Sequence, residues 1–186
     1  MLIRSVALFV HIVAMLGLFV GLALEWLCLE SLQTSSAPEE QMIWTRVLGS
    51  LPRYMATAVG LIVISGIFLA ARVGVLELGW VRASFGAMIL MGILGGPVVR
   101  APMRALQRAS AEESGDTPAT VRRQASHPLM RASLRTRIAV GLAIIYLMIG
   151  KPDLGESLLF IVGALAISAV VSMPQRRPQS SAVGAR

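Results

Sequence analysis

Two ionisable side chains, His11 and Glu25, lie in the first long apolar run of the chain, which extends from Leu2 to about Leu29. Burying an ionisable group in a membrane span is costly unless the group is paired, so such residues are candidates for ligand binding, proton transfer or transport. On one helix the two side chains differ by about 40° in direction and by about 21 Å along the axis. They border the same face but cannot touch.

Each of these residues has a structural and a chemical interpretation. His11 is either a neutral imidazole bonded to a neighbouring helix or a group that binds a cofactor or handles protons. Glu25 falls near a predicted membrane boundary. Because interfaces tolerate charge, the favoured interpretation is a carboxylate that snorkels toward water, and the alternative is a functional carboxylate.

Haem and copper are the cofactors that His11 would suit. Haem held by two histidines needs a second one in the membrane, and the only other, His127, lies in an arginine-rich segment on the opposite side. Methionine is an alternative axial ligand and, with histidine, a soft copper ligand, but it also fills apolar cores. The sequence therefore does not identify a cofactor, and it predicts no complete metal site.

Glycine spacing predicts where helices approach each other. Gly17 and Gly21 form a GxxxG pair in the first run, and Gly92 and Gly96 form another in the third. Such pairs let a neighbouring backbone come close, so these glycines are expected to pack against other helices.

A further group of polar residues falls near the predicted outer boundary and includes Arg72, Tyr146 and Lys151. The favoured interpretation is an interfacial rim of snorkelling cations with an aromatic anchor. The alternative is a small outward-facing pocket that these residues would form with His11.

The composition requires a membrane to accommodate it. Of 186 residues, 55% are hydrophobic and 15% are charged, whereas soluble domains carry about 25% charged residues. The apolar runs predict an all-α bundle of about five transmembrane helices, with four as the alternative because the fourth run is short. The expected spans are 3–29, 54–72, 80–99, 135–150 and 156–173.

The basic residues indicate an orientation. Placing the N-terminus outside and the C-terminus inside puts most arginines in the cytoplasm, including those of one long loop, 100–134. That loop should begin as a continuation of the third helix, and segment 36–51, with Ser36 as N-cap, should form a short helix on the membrane surface. Residues 174–186 form a predicted disordered basic tail. No nucleic-acid partner is expected, because no basic patch is interleaved with exposed aromatic residues.

Three short stretches resemble small bacterial inner-membrane proteins. Leu8-Phe9-Val10-His11, followed by Gly17 and Gly21, resembles the opening helix of the copper-resistance CopD-like proteins, the HemJ-type protoporphyrinogen oxidases and relatives of similar size that have no assigned activity. Ser65-Gly66-Ile67 and the segment 147–152 resemble those relatives in particular. The resemblance implies that His11 contacts haem or a metal.

Three functions therefore stay open. The leading hypothesis is a multi-pass inner-membrane protein that binds a small ligand or a partner without catalytic turnover. The second is a haem- or metal-handling redox protein centred on His11. The third is a transporter or permease subunit with His11 or Glu25 along its path. No nucleotide loop, HExxH, CxxC or nucleophile elbow is present, so enzymatic activity is uncertain and not favoured. The expected partners are the lipid bilayer and another membrane protein or a second copy of the chain.

Overall fold

The computed structural model describes residues 2–111 and 117–172, and all regular structure in these ranges is helical. The seven helices are α1 (Leu2–Thr34), α2 (Pro38–Val73), α3 (Gly79–Gly95), α4 (Arg100–Ala111), α5 (Thr117–Ala125), α6 (Pro128–Gly150) and α7 (Leu154–Ser172). The predicted tail, 174–186, lies outside the described residues.

Five helical segments in the described ranges are long and apolar enough to cross a membrane. They contain α1, α2, α3, α6 and α7, and the predicted all-α fold with five spans is confirmed. The fourth of these helices, α6, is longer than the predicted span, because it begins at Pro128, seven residues before the predicted start at 135.

Successive spans run in opposite directions and pack as neighbours. The closest association is between α1 and α2, while α6 packs against both α3 and α7. The turns 74–78 and 151–153 lie at one end of the bundle, here called the hairpin end. At the other end, α4 and α5 pack against each other and against α1 and α2.

This second end forms a separate helical layer. With 33 and 36 residues, α1 and α2 are each about 50 Å long, well beyond the 30 Å of a hydrocarbon core. The excess length packs against α4 and α5 around fully buried apolar side chains, among them Leu32, Leu48, Leu106 and Val121. We call α4, α5 and the ends of α1 and α2 that contact them the end layer.

The end layer corrects the prediction for segment 36–51. This segment is not a separate helix on the membrane surface but the first part of α2, which continues through Pro52. Within its apolar stripe, Leu48 and Leu51 are buried by the protein, whereas Ile43 is 62% exposed. The N-cap is Ala37 rather than Ser36, and the hydroxyl of Ser35 bonds to Glu40 at 2.6 Å.

The third helix does not continue unbroken into the loop. It ends at Gly95, and α4 begins at Arg100 after a turn that contains Pro97. Proline disfavours helical geometry in the residue before it, and here that residue is Gly96. In α4 the arginines at 100, 104 and 108 are exposed, while Leu106 is buried in the end layer.

Candidate functional site

One face of α1 carries both ionisable residues into the bundle. His11, Leu18 and Glu25 recur every seven positions and are all buried, with 7%, 4% and 5% of their surface exposed. The predicted shared face is therefore observed. Apart from the two polar groups, the stripe is apolar and packs mainly against α2.

Glu25 forms a buried ion pair with Arg137 of α6. Nη2 of Arg137 donates to Oε1 of Glu25 at 2.5 Å, and the two side chains expose only 7% (Glu25) and 4% (Arg137) of their surface. The expectation of a snorkelling carboxylate is wrong, because a cation on another helix compensates the charge inside the protein.

Four helices meet at this ion pair. Nη1 of Arg137 lies 3.9 Å from the sulfur of Met55 on α2. On α3, a Cβ added to Gly95 would lie 3.1 Å from Nη1, so a glycine leaves room for the guanidinium. Nε of Arg137 is buried without a hydrogen-bond partner in the described part of the chain. The pair thus joins α1 and α6, with α2 and α3 packed around it.

Sequence reasoning missed Arg137. It lies two residues inside the predicted span 135–150. An arginine within a membrane span is expected to pair with a side chain of opposite charge, and this could have identified it. The sequence contains that match in Glu25, but the identification also requires knowing that α1 and α6 are neighbours.

His11 is bonded to α2 through one ring nitrogen. Nδ1 lies 3.1 Å from the carbonyl oxygen of Ile62 and 3.0 Å from Oγ of Ser65. A carbonyl oxygen only accepts hydrogen bonds, so Nδ1 carries a proton and donates it. The hydroxyl of Ser65 donates in turn to the carbonyl oxygen of Leu61 at 2.5 Å. In the neutral ring, Nε2 then holds the lone pair.

A glycine also seats the imidazole. A Cβ added to Gly66 would lie 3.2 Å from Cε1 of His11, so the ring packs against the backbone of α2. The resemblance in the Ser65-Gly66-Ile67 segment therefore falls on the residues that hold His11.

The predicted glycine contacts divide into two groups. Gly17 and Gly21 pack against α2, where the hydroxyl of Tyr54 donates to the carbonyl oxygen of Gly17 at 2.9 Å. Gly92 and Gly96 do not pack against another helix within the described residues. A Cβ at Gly92 would meet no atom within 4 Å, and one at Gly96 would meet only the carbonyl oxygen of Gly92. The glycines of α3 that contact other helices are Gly95, which faces Arg137, and Gly79, which lies against Leu154 of α7.

The residues expected near the outer boundary are not brought to His11. Arg72 is exposed and lies over the ring of Phe68 on its own helix, while Tyr146 packs against Phe160 of α7. Lys151 is exposed at the end of α6. None of the three makes a described contact with His11, and these positions suit the interfacial rim better than the pocket.

The described residues supply no complete metal site. No group of three or more His, Cys, Asp or Glu side chains is placed to hold a metal ion within these ranges. His127 caps α6 at the other end of the bundle, where its side chain accepts from the backbone nitrogen of Leu129. The structure therefore does not pair the two histidines, and a haem at His11 would need another second axial ligand.

One family model matches most of the chain. Residues 5–152 match a family described as a predicted integral membrane protein (DUF2269). The chain belongs to this family. The matched range of the DUF2269 family contains His11, Glu25 and Arg137 and stops before α7. No curated protein and no solved structure gives a significant match. The match establishes a membrane family, and it does not extend to the CopD-like or HemJ-type proteins.

Proposed function

We propose that the protein is a non-catalytic binding module of the bacterial inner membrane, with the N-terminus outside and the end layer in the cytoplasm. In this proposal the spans anchor and orient the end layer, and the end layer binds the acidic surface of a partner protein.

The distribution of basic residues supports the orientation. The hairpin end and the neighbouring start of α1 carry Arg4, Arg72, Arg82 and Lys151. The opposite end carries the larger set: Arg46, Arg53, Arg100, Arg104, Arg108, Arg122, Arg123, Arg131 and Arg135. Cytoplasmic segments beside the membrane are enriched in arginine and lysine, so the larger set belongs inside.

One observation carries the binding proposal. The arginines at 46, 100, 104, 108, 122 and 123 are exposed on the end layer, and none forms an ion pair within residues 2–111 and 117–172. A folded layer holds these cations on fixed helices. Such a surface attracts an acidic partner and steers its approach.

The polar groups inside the bundle do not indicate a transport path. Glu25 is neutralised by Arg137, and His11 is anchored to α2, so each has a partner on another helix. Because both are almost completely buried, neither geometry favours a water-filled path, and the transporter hypothesis gains no support. The same burial places them apart from any ligand that approaches the end layer.

Site-specific photo-crosslinking in living cells tests this proposal. A photoreactive residue in place of Arg122 or Arg104 should give one discrete adduct with a second protein. A probe at Ile64, which is 71% exposed on a membrane-spanning part of α2, should not give that adduct.

Charge-reversal variants at the two ends of the bundle provide the matched control. The double substitution Arg104→Glu/Arg108→Glu should abolish the adduct from position 122, whereas Arg72→Glu at the hairpin end should leave it unchanged. Adduct formation that survives reversal of the α4 charges, or that is equally strong from position 64, would contradict a partner bound by the arginines.

A second candidate function, the handling of haem or a metal, is favoured by the hydrogen bonding of His11. Metal-ligating histidines commonly donate their other ring N–H to a backbone carbonyl or similar acceptor, which fixes the tautomer and the ring orientation. Donation from Nδ1 to the carbonyl oxygen of Ile62 has this form and leaves Nε2 as the ligand atom.

Absorption spectroscopy tests this candidate. The purified protein, reconstituted with haem, should show a Soret band that His11→Ala removes and His127→Ala leaves unchanged. A preparation that takes up no haem, or a band that persists in His11→Ala, would refute it.

A further inference from the structure

A small cleft opens between α1 and α6 next to the end layer. Its volume is about 40 Å³, and it is lined by Trp26, Leu29, Glu30, Gln33, Arg131, Leu134 and Arg135. This cleft is separate from the polar contacts of His11 and Glu25. Its polar lining comprises two arginines, one glutamate, an amide and an indole, so the cationic groups outnumber the carboxylate, and a space of this size suits a single phosphate group rather than a nucleotide or a cofactor.

The two arginines of the cleft repel each other. Arg131 and Arg135 are four residues apart on α6, which places them on the same side of the helix, where like charges are destabilising. Glu30 lines the same cleft, but neither arginine forms an ion pair with it or with another carboxylate of the described residues. An anion between the guanidinium groups would remove the repulsion.

The contacts of Arg135 indicate where the cleft lies relative to the lipid bilayer. Its Nη1 donates to the carbonyl oxygen of Val171 at 2.8 Å, at the last turn of α7, and its guanidinium lies 5.8 Å from the centre of the Trp26 ring. Tryptophan is enriched at the level of the lipid headgroups. The cleft is thus at the membrane boundary, where the phosphates of the lipids lie.

The surface beside the cleft is suited to acyl chains. Val170 and Val171 of α7 are 66% and 58% exposed, and Leu27 of α1 is 49% exposed. A lipid whose phosphate enters the cleft would leave its chains along such apolar side chains. Basic pockets between membrane helices on the cytoplasmic side bind anionic headgroups in this way.

We infer that this cleft binds the headgroup phosphate of an anionic phospholipid, with Arg131 and Arg135 as the charged contacts and Trp26 as the wall. The site is independent of the protein partner proposed for the end layer, since it requires only the purified chain and lipid.

Native mass spectrometry of the full chain in detergent, with added phosphatidylglycerol, tests the inference. A single phosphatidylglycerol should bind at least tenfold more tightly than phosphatidylcholine, which carries the same phosphate but no net charge. Arg131→Gln should weaken phosphatidylglycerol binding at least fivefold, and Arg131→Gln/Arg135→Gln should abolish the preference. The single variant is informative by itself, because Arg135 also holds the end of α7 and its loss affects folding.

The matched control is Arg104→Gln/Arg108→Gln, which removes an arginine pair of the same spacing from the exposed face of α4. This control should keep the phosphatidylglycerol affinity within twofold of the unmodified chain. An equal loss in the control variant, or equal binding of the two lipids, would overturn the inference. Displacement of the lipid by inorganic phosphate at a similar concentration would assign the cleft to a free phosphate and overturn the lipid as its source.

Discussion

The carboxylate of Glu25 and the guanidinium of Arg137 meet inside the bundle although 112 residues separate them in the sequence. The ion pair holds the first span against the fourth at a point where α2 and α3 also converge. A buried pair of this kind contributes less to net stability than to specifying one arrangement, since desolvation offsets much of the attraction. We expect it to fix which helices are neighbours.

Breaking the pair on one side should destabilise the protein strongly. Glu25→Gln or Arg137→Gln leaves the other charge or its donors buried without compensation, which costs about 3 kcal/mol. Reversible unfolding of the purified protein by titration with denaturing detergent should reveal this loss for each single variant.

The double variants distinguish an interaction between Glu25 and Arg137 from independent destabilisation by each substitution. Glu25→Gln/Arg137→Gln should be less destabilised than the sum of the single variants by about 2 kcal/mol. Glu25→Leu/Arg137→Met should recover most of the stability, because apolar replacements of similar size remove both desolvation costs. Purely additive single effects would show that the two side chains do not interact.

Substitutions of His11 should distinguish the two nitrogens of its ring. Asparagine can donate from a position close to Nδ1, whereas glutamine reaches the position of Nε2. If the bond to the carbonyl oxygen of Ile62 is what matters, His11→Asn should stay within about 1 kcal/mol of the unmodified chain and His11→Gln should lose more. Thermal unfolding in detergent compares them, and the opposite order would contradict a role through Nδ1.

The glycines provide a test of helix contacts. A Cβ at Gly79 would lie 2.7 Å from Cα of Leu154, so Gly79→Ala should force the beginnings of α3 and α7 apart and lower the thermal stability. Gly92→Ala is the matched control on the same helix. Its Cβ meets no atom within 4 Å, and alanine is the better helix former, so it should be neutral or stabilising by up to about 1 kcal/mol. Equal effects of the two substitutions would contradict the packing of α3 described here.

Hydrophobicity was sufficient to predict the five spans and the buried face of α1. Both follow from local pattern, because a run of apolar residues must reach hydrocarbon, and residues seven apart on a helix share a face. The contact of Gly17 and Gly21 with another helix could also be predicted from the sequence, since GxxxG spacing is a local signal.

The main errors concern which elements become neighbours. Glu25 was assigned to the interface because Arg137, its partner, lies 112 residues away. Segment 36–51 was placed on the membrane surface because its amphipathic pattern does not reveal that α4 covers it. Gly92 has the spacing of a packing residue, but α3 turns its neighbour Gly95 toward Arg137 instead. Tertiary contacts of this range cannot be inferred from periodicity.

Reporter fusions that establish the location of the end layer test the account most directly, because the proposed partner binding requires this layer to lie in the cytoplasm. Alkaline phosphatase and green fluorescent protein are inserted after Gly115, between α4 and α5, and after Gly74, in the turn at the hairpin end. The account predicts fluorescence without phosphatase activity for the fusion after Gly115 and phosphatase activity without fluorescence for the fusion after Gly74. The reverse pattern would place the arginines on the side of the membrane opposite the cytoplasm and contradict the proposed function.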